Sequence, residues 1–365
     1  MGLTAVKSAE KDEPKMLQFL PGRLVALLAS AVLLTAGACT ATPTDHQARF
    51  FVFGTVVDVT VWSAGDGAAD SAFRELGALF QALHENWHAW EPGLLTDVNR
   101  AFAEGRPARA DATIVELIRR SQDLEAATDG RFNPAIGKLI DLWGFHTSDF
   151  PVMGPPPSAA DIRALVDRRP STQDIHIDGL ELSSSNPAVQ LDFGGIAKGY
   201  AIDLACQALR RLGLDNAIVN AGGDLETMGR HGDRPWRIAI RDPHGGIIGR
   251  LDTRGDEAIF TSGNYERYRE NGTARYPHIL DPRTGWPVSE LSSVTVIARE
   301  GLLADAAATA LTVAGPSDWP AVAGALGLDQ VLVVDEEGTV YLTPAMQARV
   351  QLEDGLKVVV SEPGG

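Results

Sequence analysis

Along the chain, apolar residues recur at two periods, and these place most of the elements. Arg49 to Trp62, RFFVFGTVVDVTVW, is rich in β-branched and aromatic residues and predicts one strand, with Gly54 marking a bulge or a close contact. Ala69 to His88 carries Phe73, Leu76, Leu79, Phe80 and Leu83 at helical spacing, and Ala112 to Ala127 repeats that pattern with Ile114, Leu117, Ile118 and Leu124. A loop around Trp90, Pro92 and Asn99 separates the two. In Gly130 to His146, Asn133 suits a helix cap, Pro134 its first turn and Gly144 its end. Val152 to Ser158 reads as a surface connection, with Ser158 a cap for the short helix that follows.

The second half is strand-rich. Ile175 to Leu182 predicts a hairpin turning at Asp178 and Gly179, and a further strand ends at Asp192. Helix Ala201 to Leu212 and strand Ala217 to Asn220 follow, and the strand feeds the glycine turn of AGGDL, Ala221 to Leu225. Two glycine turns, each after a short apolar strand, predict a βαβ-like unit, although neither is a GxGxxG or a Walker A loop. Strands are expected over Trp236 to Ile240, Ile247 to Asp252 and Ala258 to Ser262. Helices follow over Leu302 to Val313 and Ser317 to Leu326, then strands over Gln330 to Asp335 and Thr339 to Leu342 and near Val350 and Val358. No internal repeat is evident.

Composition narrows the classes. With 365 residues, 44% of them hydrophobic, the chain can bury a large core, read as two α/β lobes packed as one unit. A formal charge of −16 argues against a nucleic-acid backbone as partner, so an anionic ligand must be held locally. The apolar, charge-free run Leu24 to Ala38 predicts a secretory signal over residues 1–38, with the true start at Met16. Cys39, after small residues, resembles the lipobox cysteine of bacterial lipoproteins, and residues 39–48 then form a linker. Ala36 stands where that box prefers leucine, and Ala36 with Ala38 also makes an AxA site for ordinary signal cleavage. Cys206 is then the remaining thiol, expected to be buried.

Candidate chemistry gathers in a few stretches. Leu191 to Asp203, LDFGGIAKGYAID, combines a carboxylate, paired glycines, a lysine and a helix start. Tyr276 to Val288 loads a rigid loop with His278 and the pair Asp281 and Arg283, which can also simply pin the turn. Asp305 and Thr309, four apart among alanines, put a carboxylate and a hydroxyl on one helix face, as a hard cation would need. Thr back-bonding and a solvated Asp explain that pair equally well. His84 to His88 formally matches HExxH, but Glu91 breaks the extended zinc pattern and no third ligand is identifiable, leaving a solvated helix end as the competing reading.

Taken in order, LDFGGIAKGYAID, VNAGGDL, TSGNYERY, HILDPRTG and ADAAATAL resemble the ApbE family of FAD:protein FMN transferases. The likeness runs from Phe53 to the helix at Asp305 and implies a catalytic domain over residues 49–361. The fold it implies is α+β and T-fold-like, a two-lobed single unit of mixed or antiparallel sheets with flanking helices. The implied reaction is Mg²⁺-dependent transfer of the FMN half of FAD to a threonine or serine hydroxyl of a target protein, releasing AMP. The alternatives are an FAD pyrophosphatase giving free FMN and a non-catalytic flavin-binding lipoprotein. The resemblance makes His278 the base that activates the acceptor hydroxyl. Asp305, Thr309, Gly195 and Leu302 become metal ligands, the last two through backbone carbonyls. Phe53, Trp90, Arg131, Phe132, Asn133, Asp192, Lys198 and Ile279 become FAD contacts. Phe53, Asn133 and Trp90 depart from the commoner methionine, aspartate and tyrosine of the family. The expected partners are FAD, an acceptor flavoprotein and, through Cys39, the periplasmic face of a membrane; release into the periplasm is the alternative.

Overall fold

The computed structural model describes residues 42–63 and 65–364. Pro43 to the C-terminus is one compact unit. Signal, cleavage site and Cys39 lie outside the described residues.

The frame is a nine-stranded sheet whose strands follow one another in chain order: Thr44–Val52, Thr55–Ser63, Ala217–Ala221, Asp224–Met228, Glu257–Gly263, Leu291–Ala298, Val331–Asp335, Val340–Leu342 and Val358–Val360. All neighbours pair antiparallel except the last two strands. Alternation sets the faces. Val57, Val59 and Val61 are buried while Thr60 and Asp58 between them are not, so the outer strands show one dry face. Asp224–Met228 and Val331–Asp335 are buried throughout, because both faces of the sheet are covered there.

Helices Asp66–Trp87, Ala197–Arg211 and Gly301–Ala325 contribute Leu76, Phe80, Ile202, Leu209 and Leu311 to the main core on one face. On the other face, strands Arg237–Arg241, Ile247–Asp252 and Gln351–Leu352 form a small sheet. Ile238, Ile240 and Leu251 from it pack on Leu225, Ile259 and Leu332 of the large one. A third cluster, with Leu139, Trp143, Phe145, Ile162 and Leu280, ties helices Gly137–Leu142 and Ala159–Val166 to the loop after His278. Trp143 is fully buried and its indole donates to the Gly285 carbonyl at 2.9 Å, so a large side chain enters the core with its polar atom satisfied.

Several sequence expectations are corrected by tertiary pairing. Arg49 to Trp62 is a hairpin, not one strand: Phe53 and Gly54 take φ of 55° and 66°, the two left-handed positions a tight two-residue turn requires. Residues 44–48, expected as linker, already belong to its first strand. Asn99 sits in a helix, Leu94–Ala103. The segment ending at Asp192 is not a strand. Its backbone is satisfied by the Asn99 side chain, which bonds both the amide and the carbonyl of Leu191, and by the turn at Pro134 to Gly137. That pairing also delays the helix expected at Pro134 to Gly137.

The βαβ reading fails because its first strand, the one expected to end at Asp192, does not form; the second glycine turn instead closes an antiparallel hairpin of Ala217–Ala221 and Asp224–Met228 through Gly222 and Gly223, both with positive φ. The hairpin after Ile175 turns on Gly179 and Leu180, with Asp178 still paired. The break between the last two expected helices falls at Gly315, φ 73°, not at a Ser317 cap. Ser158 caps its helix as expected, accepting from the Asp161 amide, and Cys206 is buried.

Candidate active site

The organising stretch is locked to the helix that carries Asp305. Helix Ala197–Arg211 begins four residues earlier than its apolar pattern indicated, so Lys198 lies in its first turn. The Gly199 amide donates to Asp305 Oδ2 at 2.9 Å. One turn on, Asp203 accepts from the Gly301 and Leu302 amides at 2.6 and 2.9 Å, capping the N-terminus of helix Gly301–Ala325. Gly199 and Gly301 touch at the crossing. Helix pairing therefore fixes where Asp305 and Thr309 stand relative to Gly195 and Lys198.

Lys198 pairs with the buried Asp224, whose other oxygen accepts from the Thr261 amide at 2.9 Å. Burial would lower the Lys198 pKa, but Asp224 and Asp305 outweigh it and raise it above the lysine range. Asp305 is pushed up to about 7, by burial first and against the pull of Lys198. Thr309 lies one turn beyond, and its Oγ1 would be 3.1 Å from a Cβ placed on Gly195. Its hydroxyl reaches back to the Asp305 carbonyl only at 3.4 Å.

Asp305, Thr309 and the Gly195 backbone form an all-oxygen donor set of the kind a hard divalent cation takes. Among the described residues no three His, Cys, Asp or Glu cluster to hold a metal. A cation here would complete its shell from water and ligand oxygens.

His278 stands across the cavity. Its Nδ1 lies 3.2 Å from the Arg267 carbonyl, an acceptor only, so Nδ1 carries the proton and Nε2 keeps a free lone pair. Burial, then the Arg267 charge, lowers its pKa to about 4, below the ordinary histidine value near 6.5. Asp281 and Arg283 pin the following turn with two bonds of 2.9 Å, the structural reading.

The other wall is aromatic. Phe53 meets His84, His84 meets His88, and His88 meets Trp90 in successive edge contacts, with centroids 5.9, 5.4 and 4.4 Å apart. Trp90 stacks on His146 at 5.0 Å and 18°. His146 Nε2 then bonds Asp192 Oδ2 at 3.0 Å, and the Gly194 amide bonds Oδ1 at 2.8 Å. The HExxH match thus resolves into neither a zinc helix nor a solvated helix end. His88 lies beyond the helix in extended backbone, and both rings line the cavity.

These groups face one cavity of about 1310 Å³. Phe53, Trp90, Arg131, Phe132, Asn133, Asp192, Gly195, Lys198, His278, Ile279, Asp305 and Thr309 all line it. Arg131 holds Asp318 at 2.9 Å, while its Nε is buried without a partner. Asn133 is engaged at both ends, with the Ala135 amide and the Pro170 carbonyl. Leu302 is the exception: it is 1% exposed in the core, with its amide on Asp203, away from the cavity wall. Asp224, His146, Asn99 and Asp203 were not singled out from sequence. Asp224 and Asp203 were visible as the ends of the AGGD and GYAID motifs, whereas His146 and Asn99 carry no local signal.

The ApbE family model matches residues 53–332. A Rhodobacter capsulatus FAD:protein FMN transferase is 42% identical over 90% of this chain, and the match spans 63% of that protein's length. A Klebsiella pneumoniae FAD:protein FMN transferase is 34% identical over 72% of this chain and 82% of its own. Among solved structures, the ApbE protein of Thermotoga maritima superposes with a TM-score of 0.76 at 29% identity, covering 84% of this chain and 99% of that one. The apo flavinyl transferase ApbE of Pseudomonas stutzeri gives 0.74 at 32% identity, covering 84% and 96%. With its core motifs, its α+β frame and these relatives in agreement, this chain belongs to the ApbE family.

Proposed function

We propose that the protein is an FAD:protein FMN transferase. The observation that carries this is the convergence, in one cavity, of an unprotonated His278 Nε2, the Lys198, Asp224 and Asp305 cluster, and an aromatic wall ending at Asp192. The acceptor hydroxyl gives its proton to His278 Nε2 as its oxygen attacks the FMN phosphorus, and the bond to AMP breaks. Lys198 offsets pyrophosphate charge in an acidic protein. Trp90 and Phe53 offer faces and edges for stacking.

Mg²⁺ fits the oxygen donors of Asp305, Thr309 and Gly195, and when bound it supplies Lewis-acid polarisation of phosphoryl oxygen. The signal-like run Leu24 to Ala38 and Cys39 support export to the periplasm, with lipid attachment at the membrane face.

The test mixes the protein, FAD, Mg²⁺ and a flavoprotein acceptor domain. Covalent flavin on the acceptor and one AMP per transfer are expected, and His278→Ala removes both while FAD still binds. AMP with free FMN and no acceptor labelling identifies a pyrophosphatase instead. Loss of labelled lipid from the full chain on Cys39→Ala tests the anchor.

A further inference from the structure

Strand Arg237–Arg241 ends its three-stranded sheet and, among the described residues, pairs only with Ile247–Asp252. Its side chains alternate: Ile238 and Ile240 enter the core, whereas Arg237, Ala239 and Arg241 are exposed. All five residues nevertheless line the cavity that holds His278. Consecutive side chains of a strand point to opposite faces, so only the backbone edge can bring all five to one space. The cavity thus has an unpaired strand for a wall.

Other open edges lack this position. Val358–Val360 does not line the cavity, and Thr44–Val52 reaches it only through Phe51 and Val52. Volume gives a second reason, since about 1310 Å³ exceeds the roughly 300–1,000 Å³ usual for a small-molecule site. Ile218, Asn220 and the Gly222 and Gly223 turn line the same cavity. The edge shares its cavity with the chemistry: Arg241 and Tyr265 line it together with Lys198 and its partner Asp224.

We propose that the acceptor polypeptide docks there as an added β-strand along Arg237–Arg241, its acidic side chains meeting Arg237 and Arg241; this rests on the transferase reading. Strand addition takes affinity from backbone hydrogen bonds and selectivity from alternate side chains. Arg237 and Arg241 are those alternate positions, with the small Ala239 between them. In a chain of net charge −16, two arginines on one open edge select for acidic sequence. Arg237 now holds Asp252 at 3.1 Å, an exposed pair worth little and readily exchanged.

The experiment uses the full chain loaded with FAD and two short synthetic peptides, each with one threonine, flanked by aspartates in one and by lysines in the other. The aspartate peptide is expected to bind about tenfold tighter and to slow amide exchange across residues 237–241. Arg237→Ser with Arg241→Ser should erase the preference and leave FAD affinity unchanged. Equal or absent peptide binding, no slowing at 237–241, or loss of FAD affinity in the double variant overturns the proposal. The two readings separate on the acceptor-domain assay. Selective docking without transfer sinks the transferase and leaves the edge, whereas transfer with unchanged acceptor KM in the double variant sinks the edge alone.

Discussion

Gly199 and Gly301 pack backbone to backbone: a Cβ on Gly199 would lie 2.1 Å from the Gly301 carbonyl oxygen, and one on Gly301 would lie 2.7 Å from the Gly199 carbonyl. Neither neighbour is a flexible side chain that could swing aside. This contact lets the Gly199 amide reach Asp305 and the Asp203 carboxylate reach the helix start.

Gly199→Ala should therefore force the two helices apart. Overpacking against fixed backbone costs roughly 1–3 kcal/mol or more, and the upper end is expected here. Urea denaturation should show that loss, and in the folded fraction the Mg²⁺ concentration for half-maximal transfer should rise, because Asp305 moves with its helix.

Lys198 and Asp224 should prove coupled. Lys198→Met leaves the buried Asp224 and Asp305 carboxylates without their cation, whereas Lys198→Met with Asp224→Asn removes part of the excess charge. Because Lys198 is about one-third exposed, the single variant is expected to cost about 2 kcal/mol, less than a fully buried pair, and the double variant less than the sum of the singles. Additive losses in a double-mutant cycle would refute the coupling.

The pH dependence of stability should carry the signature of Glu226. Burial first, and then the neighbouring Asp203, raise the Glu226 pKa to about 8, so the folded protein keeps a proton there that the unfolded chain releases near its ordinary carboxylate value. The folded state binds more protons in that window, so this group's contribution to stability falls as pH rises from about 4.5 to about 8. Glu226→Gln should flatten that decline, with a higher Tm than the parent at pH 8 and a smaller difference at pH 5. The check is a pair of thermal melts at those pH values.

His278 works in the opposite direction. With its pKa lowered to about 4, it is unprotonated across the neutral range, and transfer should show no inflection near pH 6.5 from this residue. Below that pH the unfolded chain takes up a proton that the folded protein refuses, so stability falls as pH drops from about 6.5 toward about 4. His278→Ala should lower the transfer rate by about 10²–10⁴-fold, the usual range for losing a positioned base.

His146 supports Trp90 from behind while holding Asp192. His146→Ala should weaken FAD binding about tenfold, the scale of one lost stack of roughly 0.5–1.5 kcal/mol with one lost hydrogen bond. Flavin fluorescence titration reads it, and Trp90→Phe, which keeps an aromatic face, should lose less.

What the chain determined alone was local. Apolar spacing placed the three main helices to within a few residues. Glycine pairs placed the turns, and the motifs named His278, Lys198, Asp192, Asp305 and Thr309, all of which reach one cavity. Hydrophobic period and turn chemistry act over a few residues, so they are readable without a partner.

The tertiary structure decided what depends on a partner. Phe53 turns a hairpin because the strands on either side pair with each other, and Leu191 forms no strand because Asn99, distant in the chain, takes both its backbone groups. Leu302 sits in the core and not on the cavity wall, and His278 is a weaker base than its residue type implies because the fold buries it beside Arg267. Hydrogen-bond partners, desolvation and an unpaired strand edge are properties of what surrounds a residue, and those surroundings exist only once the chain has folded.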